Sequence, residues 1–459
     1  MKIIVENCVF MNGGDSAIGF ALKQIVEDAL PEAEITFADS GLPAIARYYP
    51  EIDFTPLPSF VMEDAPLLQF LKKRLGAYRK YFVVRRVYLA CAVAFTRLLR
   101  RIGLPVTGRV GQAIAPYLDA DLVITTGGTY LLSKYDCTRR ILEFQKDLQL
   151  GKPLIAFTQS FEPFADDYRA RALARQLHRM RAILVRHETS RGHVEDLIGR
   201  SDHVVTAADC VFALWRPGPV TVAERRIRSG RDADDRLRIG VSVRQLKSFG
   251  VRDRELGISL YRQSILAAVT ALVRDHGAEV TFLSTCQGID EYWTDDSAVA
   301  AEFAAGLPAD VAASVQVDRD FHTPLDLIER LKAFDGVIPC RLHMAILSVC
   351  ANTPALPVSY EPKFQETFAE LGLPDLVTDV AEIEPEAFAQ AVRAWAADLD
   401  GVNAAIARGA PAMKASAQSA GTVVAQAYAA WQRDRRAEGP PAAKSARRPA
   451  PRRQTDTGD

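Results

Sequence analysis

"VIPCRLHMAILSVCANTPALPVSYEPK", residues 337–363, decides how this chain is read. An apolar run ends at Cys340. Arg341 and His343 then flank Leu342 at the mouth of an apolar helical segment, "HMAILSVCAN". A second apolar run, "ALPVS", follows, and Lys363 stands just beyond it. Strand, loop, helix and returning strand form the unit of a parallel sheet covered by helices. Charge is costly at the ends of buried elements unless something pairs with it. Residues two apart in an extended segment point the same way. Arg341 and His343 therefore either face one ligand together, or one of them caps the structure. The return of "ALPVS" to the same sheet edge brings Tyr360 and Lys363 near them.

The same unit recurs on both sides. "KIIVENCV" leads through "FMNGGDSA" into "IGFALKQIVEDAL", where Ile18, Leu22, Ile25, Val26 and Ala29 recur at helical spacing. "ADLVITTGGTYLL", "KPLIAFTQS" and "RAILVRHETSRGHVEDLI" continue the pattern, the last with Thr189 or Ser190 as helix N-cap. "HVVTAADCVFAL" closes the first half. Residues 216–236 are polar and rich in breakers and read as a linker. The alternation then restarts with "LRIGVSVRQL", "AEVTFLSTC" and "PLDLIERLKAFDG". The expected fold is α/β, with two doubly wound Rossmann-like lobes over residues 1–215 and 237–432. Residues 433–459 form a Pro/Ala/Arg-rich tail expected to be disordered. In such sheets ligands bind beyond the carboxyl ends of the strands.

Bulk properties remove several function classes. The 459 residues carry 56 Lys plus Arg against 57 Asp plus Glu, so overall charge points to no nucleic-acid partner. Cysteines at 8, 91, 137, 210, 286, 340 and 350 form no CxxC pair, which argues against a disulfide framework or a zinc site and for reduced thiols of a cytoplasmic protein. The longest apolar run, "VYLACAVAF" (87–95), has nine residues, short of the roughly 18 of a membrane span. Lysines and arginines crowd both its flanks from residue 72 to residue 101. A short apolar helix with basic flanks fits peripheral contact with the inner face of a membrane. A core or surface helix with a solvated basic face is the plainer alternative.

Candidate chemistry lies in the strand-end loops. In "NGGDSAI", Asn12 and Asp15 enter a helix beside two glycines, where the backbone and helix terminus favour a polar or anionic ligand. Asp15 is otherwise a simple N-cap. The loop is not GxGxxG, so no dinucleotide fingerprint is present. Gly128 lies in a similar loop, "TGGTYLL". Arg186 ends the apolar strand of "AILVRHETS", and Arg244 follows another in "VSVRQLK". Arginine recognises carboxylate and phosphate in two-pronged fashion. Arg186, Arg244, Arg341 and Lys363 around the His343 imidazole would suit a small, highly anionic ligand and a proton transfer. No cluster of metal-ligand type is present.

The chain resembles the polysaccharide pyruvyl transferase family in "NGGDSAI", "TTGGTYLL", "VRHETS", "AADCVFAL", "IGVSVRQ" and "CRLHMAILSVCANTPALPVSYEPK", in that order over residues 3 to 375. The resemblance implies a two-lobed fold like that of the GT-B glycosyltransferases. It also implies transfer of the pyruvate unit of phosphoenolpyruvate onto sugar hydroxyls, as a ketal, with no further cofactor. The family's phosphoenolpyruvate-binding arginine, histidine and lysine match Arg186, His343 and Lys363. On this expectation Arg341 supports them, and Asn12, Asp15 and Gly128 present a sugar or lipid-linked oligosaccharide. Asp15 is the candidate base for the attacking hydroxyl. This chain carries His187 where many members carry Asp. A nucleotide-sugar glycosyltransferase and a non-catalytic sugar-binding relative are the alternatives.

Overall fold

Two large parallel sheets, one in each lobe, organise the molecule. The computed structural model describes residues 1–76, 79–132, 136–232, 235–250 and 252–438. The first sheet contains β1 (Lys2–Cys8), β2 (Glu34–Asp39), β3 (Phe54–Pro56), β4 (Leu122–Thr125), β5 (Gly128–Leu131), β6 (Leu154–Phe161), β7 (Ala182–Val185) and β8 (Val204–Thr206). Its order is β3-β2-β1-β4-β6-β7-β8, with β5 on the outer end of β6. The second contains β9 (Arg238–Val241), β10 (Glu279–Phe282), β11 (Val315–Val317) and β12 (Gly336–Ile338), in the order β11-β10-β9-β12. β4, β6 and β7 are buried at every position, which is why β4, β7 and the first half of β6 read as apolar runs rather than alternating ones, while β6 also buries Thr158, Gln159 and Ser160 toward its carboxyl end.

The helices used below are α1 (Gly13–Ala29), α2 (Pro66–Leu75), α3 (Arg79–Arg101), α4 (Thr138–Leu150), α5 (Glu188–Ile198), α6 (Arg254–His276), α7 (Leu342–Cys350), α8 (Lys363–Glu370) and α9 (Leu399–Glu438). Asn12, not Asp15, caps α1: its side chain accepts the Gly14 N–H at 2.9 Å. α6 is long and apolar enough to cross a bilayer, yet it packs on helix Pro385–Ala397 and buries Tyr261, Ile265, Val269 and Leu272. "ALPVS" does return to β12: Ala355 bridges Val337, and the Val358 N–H donates to the Pro339 carbonyl at 3.0 Å. Residues Val358–Ser359 then pair with Thr378–Asp379 in a third, two-stranded sheet.

Several local expectations change. The polar stretch 216–236 is not merely solvated, because it carries the helix Val222–Arg228 with Arg225 and Arg226 buried. Arg225 donates to Thr353 Oγ1 and Asn403 Oδ1, each at 3.1 Å, and Arg226 and Arg231 converge on the buried Asp335. A buried carboxylate supplies the counter-charge that lets these arginines leave water. Neither Thr189 nor Ser190 caps α5, whose N-cap position is His187. Ser190 Oγ instead accepts the Phe161 N–H at 3.0 Å. α9 crosses back to the first lobe, where Ser416 Oγ accepts the Ala208 N–H at 3.0 Å and Asp434 pairs with Arg181 at 2.6 Å. Residues 433–438, expected within the disordered tail, continue α9, and residues 439–459 lie outside the described residues.

Candidate active site

The carboxyl ends of both sheets open on one cavity of about 840 Å³. Asn12, Asp15, Gly128 and Arg186 line it from the first lobe, and Arg244, Arg341, His343 and Lys363 from the second. The eight residues proposed from the sequence to bind substrate or act on it thus reach the same space. Glycine makes the close approach of the lobes possible. A Cβ on Gly13 would lie 2.0 Å from the Thr285 carbonyl oxygen, and one on Gly14 would lie 2.7 Å from His343 Nδ1.

Arg186 follows β7 and is 2% exposed. Its Nε donates to the Thr158 carbonyl at 2.8 Å, and its Nη1 lies 2.8 Å from Asp209 Oδ2. The β6–β7 register shifts between Ala156 and Gln159, and Thr158 adopts a positive φ of 39° there. This bulge re-aims the Thr158 carbonyl toward the guanidinium. Nη2 of Arg186 is buried with no protein partner. Asp209 accepts the Val211 N–H at 3.0 Å, and its Oδ2 also lies 3.4 Å from His343 Nε2. Burial alone would raise the Asp209 carboxyl. The Arg186 guanidinium, His343 and the Val211 N–H outweigh it and hold the group well below the usual carboxylate range. One carboxylate thus orients Arg186 from the first lobe and His343 from the second. Asp209 stands in the "AADCVFAL" motif, but only its strand-end position could have singled it out.

The second lobe treats its cations similarly. Arg341 makes a two-pronged pair with Asp296, its Nη2 at 2.8 Å from Oδ1, and Asp296 also accepts from Ser284 Oγ at 2.5 Å. Lys363, at the start of α8, lies 2.6 Å from a Glu361 oxygen. Arg244 hydrogen-bonds the Tyr360 hydroxyl, with its guanidinium carbon 4.4 Å from that ring's centroid, and its Nε has no partner. Asp209 and Asp296 do not line the cavity. Nine Lys and Arg side chains line it against four Asp and Glu, so the acids that aim Arg186 and Arg341 stand behind a positive wall.

Asp15 faces these groups from α1. Burial raises its carboxyl above the ordinary value, and His343, Tyr130, Arg186 and Lys363 offset that only in part. Gly128 has a φ of +133°, and a Cβ there would meet the Tyr130 ring at 2.8 Å. Glycine therefore lets Tyr130 lie beside Asp15. Arg140 stacks on the other side of that ring, 5.0 Å from its centroid. Nothing in "DCTRR" marks Arg139 and Arg140 as cavity residues, because α4 brings them in from outside the strand-end loops. His187 does not line the cavity. It is buried against α8, with Nδ1 2.9 Å from Glu370 Oε1, while Thr189 donates to Glu366 at 2.7 Å. An acid at 187 would confront two glutamates, so histidine suits this lobe contact.

Comparison with known proteins agrees with the two-lobed architecture. HepE of Anabaena, solved with UDP-glucose, superposes with a TM-score of 0.52 at 13% identity over 94% of this chain and 100% of its own. A glycosyltransferase of Rickettsia africae gives 0.51 at 9% identity over 94% and 98%. A putative UDP-N-acetylglucosamine 2-epimerase of Listeria monocytogenes gives 0.51 at 10% over 89% and 91%. These likenesses establish the two-lobed GT-B fold. The amylovoran biosynthesis protein AmsJ of Erwinia amylovora is 27% identical over 268 residues, 57% of this chain and 62% of the relative. Residues 12–362 match the polysaccharide pyruvyl transferase family from the helix cap at Asn12 to the residue before Lys363. With that match spanning both lobes and every lining residue of the cavity except Val9 and Lys363, the chain belongs to the polysaccharide pyruvyl transferase family.

Proposed function

We propose that the cavity binds phosphoenolpyruvate and transfers its pyruvate unit to sugar hydroxyls of a polysaccharide or its lipid-linked precursor. One observation carries this reading. Arg186 keeps a buried, unpartnered Nη2, and it shares a cavity with Arg244, Arg341, Lys363 and an imidazole held by Asp209. Such an array matches a small molecule carrying a phosphate and a carboxylate. Arg186 and Lys363 hold those two groups and Arg341 supports them. His343 gives its proton to the methylene carbon, which becomes a methyl group. Positive charge then develops at C2, stabilised by the ester oxygen and the bound carboxylate. A sugar hydroxyl adds to C2 and loses its proton to Asp15, the carboxylate across the cavity whose basicity burial raises. The C2–O bond to phosphate breaks as its oxygen takes the proton from Asp15, inorganic phosphate leaves, and a second hydroxyl closes the ketal and returns its proton to His343.

The likeness to HepE, solved with UDP-glucose, makes a nucleotide sugar the rival donor. A thermal-shift and phosphate-release assay separates the two. Phosphoenolpyruvate should raise the melting temperature and release phosphate in the presence of acceptor glycan, with the product gaining the mass of a pyruvate ketal. Protection by uridine diphosphate sugars alone would overturn the proposal in favour of glycosyl transfer. Sugar binding with no donor binding would favour a non-catalytic relative.

A further inference from the structure

The outward face of α3 is apolar, the reverse of a surface helix. Val83, Val87, Cys91 and Phe95 follow one another at four-residue spacing, and Leu98 and Ile102 extend the same stripe. Phe95 is 56% exposed, Val87 58% and Leu98 51%, whereas the opposite face buries Phe82, Leu89, Val93 and Thr96. On α2, Leu67 and Phe70 are also more than half exposed. Nine of the fifteen exposed large hydrophobic residues among the described residues fall between 60 and 104. This concentration is a patch rather than ordinary surface scatter.

Charge says what covers it. Residues 65–118 contain eleven Lys and Arg and no Asp or Glu, in a chain whose net charge is −1. Lys72, Lys73 and Arg74 end α2, and Arg100 and Arg101 end α3. Two copies meeting through this face would bring these cations together, and no acid within the segment would relieve them. An anionic bilayer offers an apolar interior to the stripe and negative head groups to its basic border. The cavity reaches the inner side of these helices: Lys72 of α2 and Tyr81 and Phe82 of α3 line it together with Arg186 and His343.

We infer that α2 and α3 dock the protein on an anionic phospholipid bilayer, so that the cavity these helices help to line lies beside the lipid. The docking requires no particular donor, so it can fail or stand apart from the pyruvyl-transfer reading. The test is co-sedimentation of the full chain with vesicles of phosphatidylglycerol and phosphatidylethanolamine, against vesicles of phosphatidylcholine alone. The protein should sediment with the first and not the second, and salt should release it. The double substitution Phe95→Ser and Leu98→Ser should lower partitioning about tenfold or more. Lys73→Gln should lower it about fivefold. The melting temperature, and phosphate release with a soluble glycan, should be unchanged in both variants, showing that they fold. No sedimentation, or equal sedimentation with both vesicle types, overturns the inference. So does a self-association that disappears in Phe95→Ser/Leu98→Ser, which would make the face an interface between copies.

Discussion

Two buried charge clusters touch the first sheet, and they are built oppositely. Beneath β1, Lys146 Nζ lies 3.0 Å from Glu6, 2.9 Å from Glu143 and 3.0 Å from Asp147, with all four side chains fully buried and the Tyr117 ring 3.0 Å from the ammonium. One cation serves three carboxylates. Burial raises Glu6 well above its ordinary range and Asp147 to about 6, so the cluster balances its excess of acceptors by retaining protons. In the cleft the excess is of donors. Arg186 Nη2 and Arg244 Nε are buried without partners beside Lys363, and an arginine cannot shed charge at ordinary pH. A cluster that a proton can balance is structural. One that only an anion can balance is a binding site.

The sharpest way to break this contrast is His343→Ala. It should lower turnover about 10²- to 10⁴-fold in the phosphate-release assay and leave the melting temperature nearly unchanged. A rate within tenfold of wild type would remove the imidazole from the chemistry. Lys146→Met should do the converse. Stripping the only cation from three buried carboxylates should cost about 3–5 kcal/mol in urea unfolding, with activity per folded molecule retained. Loss of activity at intact stability would make the closed cluster functional after all.

The lobes were legible because parallel strands buried on both faces leave unbroken apolar runs, and because the first residue past each run is where ligands bind. That logic reached Asn12, Asp15, Arg186, Arg244, Arg341 and His343. It missed the acids behind the cations. Asp296 stands in "DEYWTDDSA", where nothing local separates it from Asp290, Glu291 and Asp295, and its burial comes only from packing under Arg341. The Lys146 cluster is hidden the same way, since "EFQKD" has the composition of a solvated helix face. Arg225 and Arg226 read as linker charge because their partners lie more than a hundred residues away, at Thr353 and Asp335. In each case the partner that makes burial tolerable is distant in the chain.

The proton held by the closed cluster gives a smaller effect with a definite sign. A carboxyl raised in the folded state contributes stability below its ordinary pKa, and that contribution fades as pH rises through the folded value. For Asp147 that value is about 6, so urea stability should fall, on the order of 1–3 kcal/mol, between about pH 5 and about pH 7. Asp147→Asn should flatten that slope. A slope unchanged in the variant would place the retained proton elsewhere.

The smallest expected effect tests the contact between the lobes. His187→Asp introduces the acid that the resemblance in "VRHETS" leads us to expect at this position. If that acid took part in the chemistry here, the substitution would speed turnover. The geometry argues otherwise, because position 187 faces α8, where Glu370 lies 2.9 Å from the ring and Glu366 3.9 Å. A third carboxylate there repels both, which weakens this contact between the lobes and leaves the wall of the cleft intact. Glu366 and Glu370 are 31% and 39% exposed, so water screens the repulsion and the cost should be about 1 kcal/mol or less. If the cavity binds phosphoenolpyruvate as proposed, the cost should appear as a KM for that donor raised less than about tenfold at unchanged kcat, because α8 carries Lys363 at its head and the two lobes share the cavity. Glu370→Gln in the same chain should recover most of the loss by removing one of the repelling charges. If the double variant is no better than His187→Asp alone, position 187 acts through something other than its contact with α8.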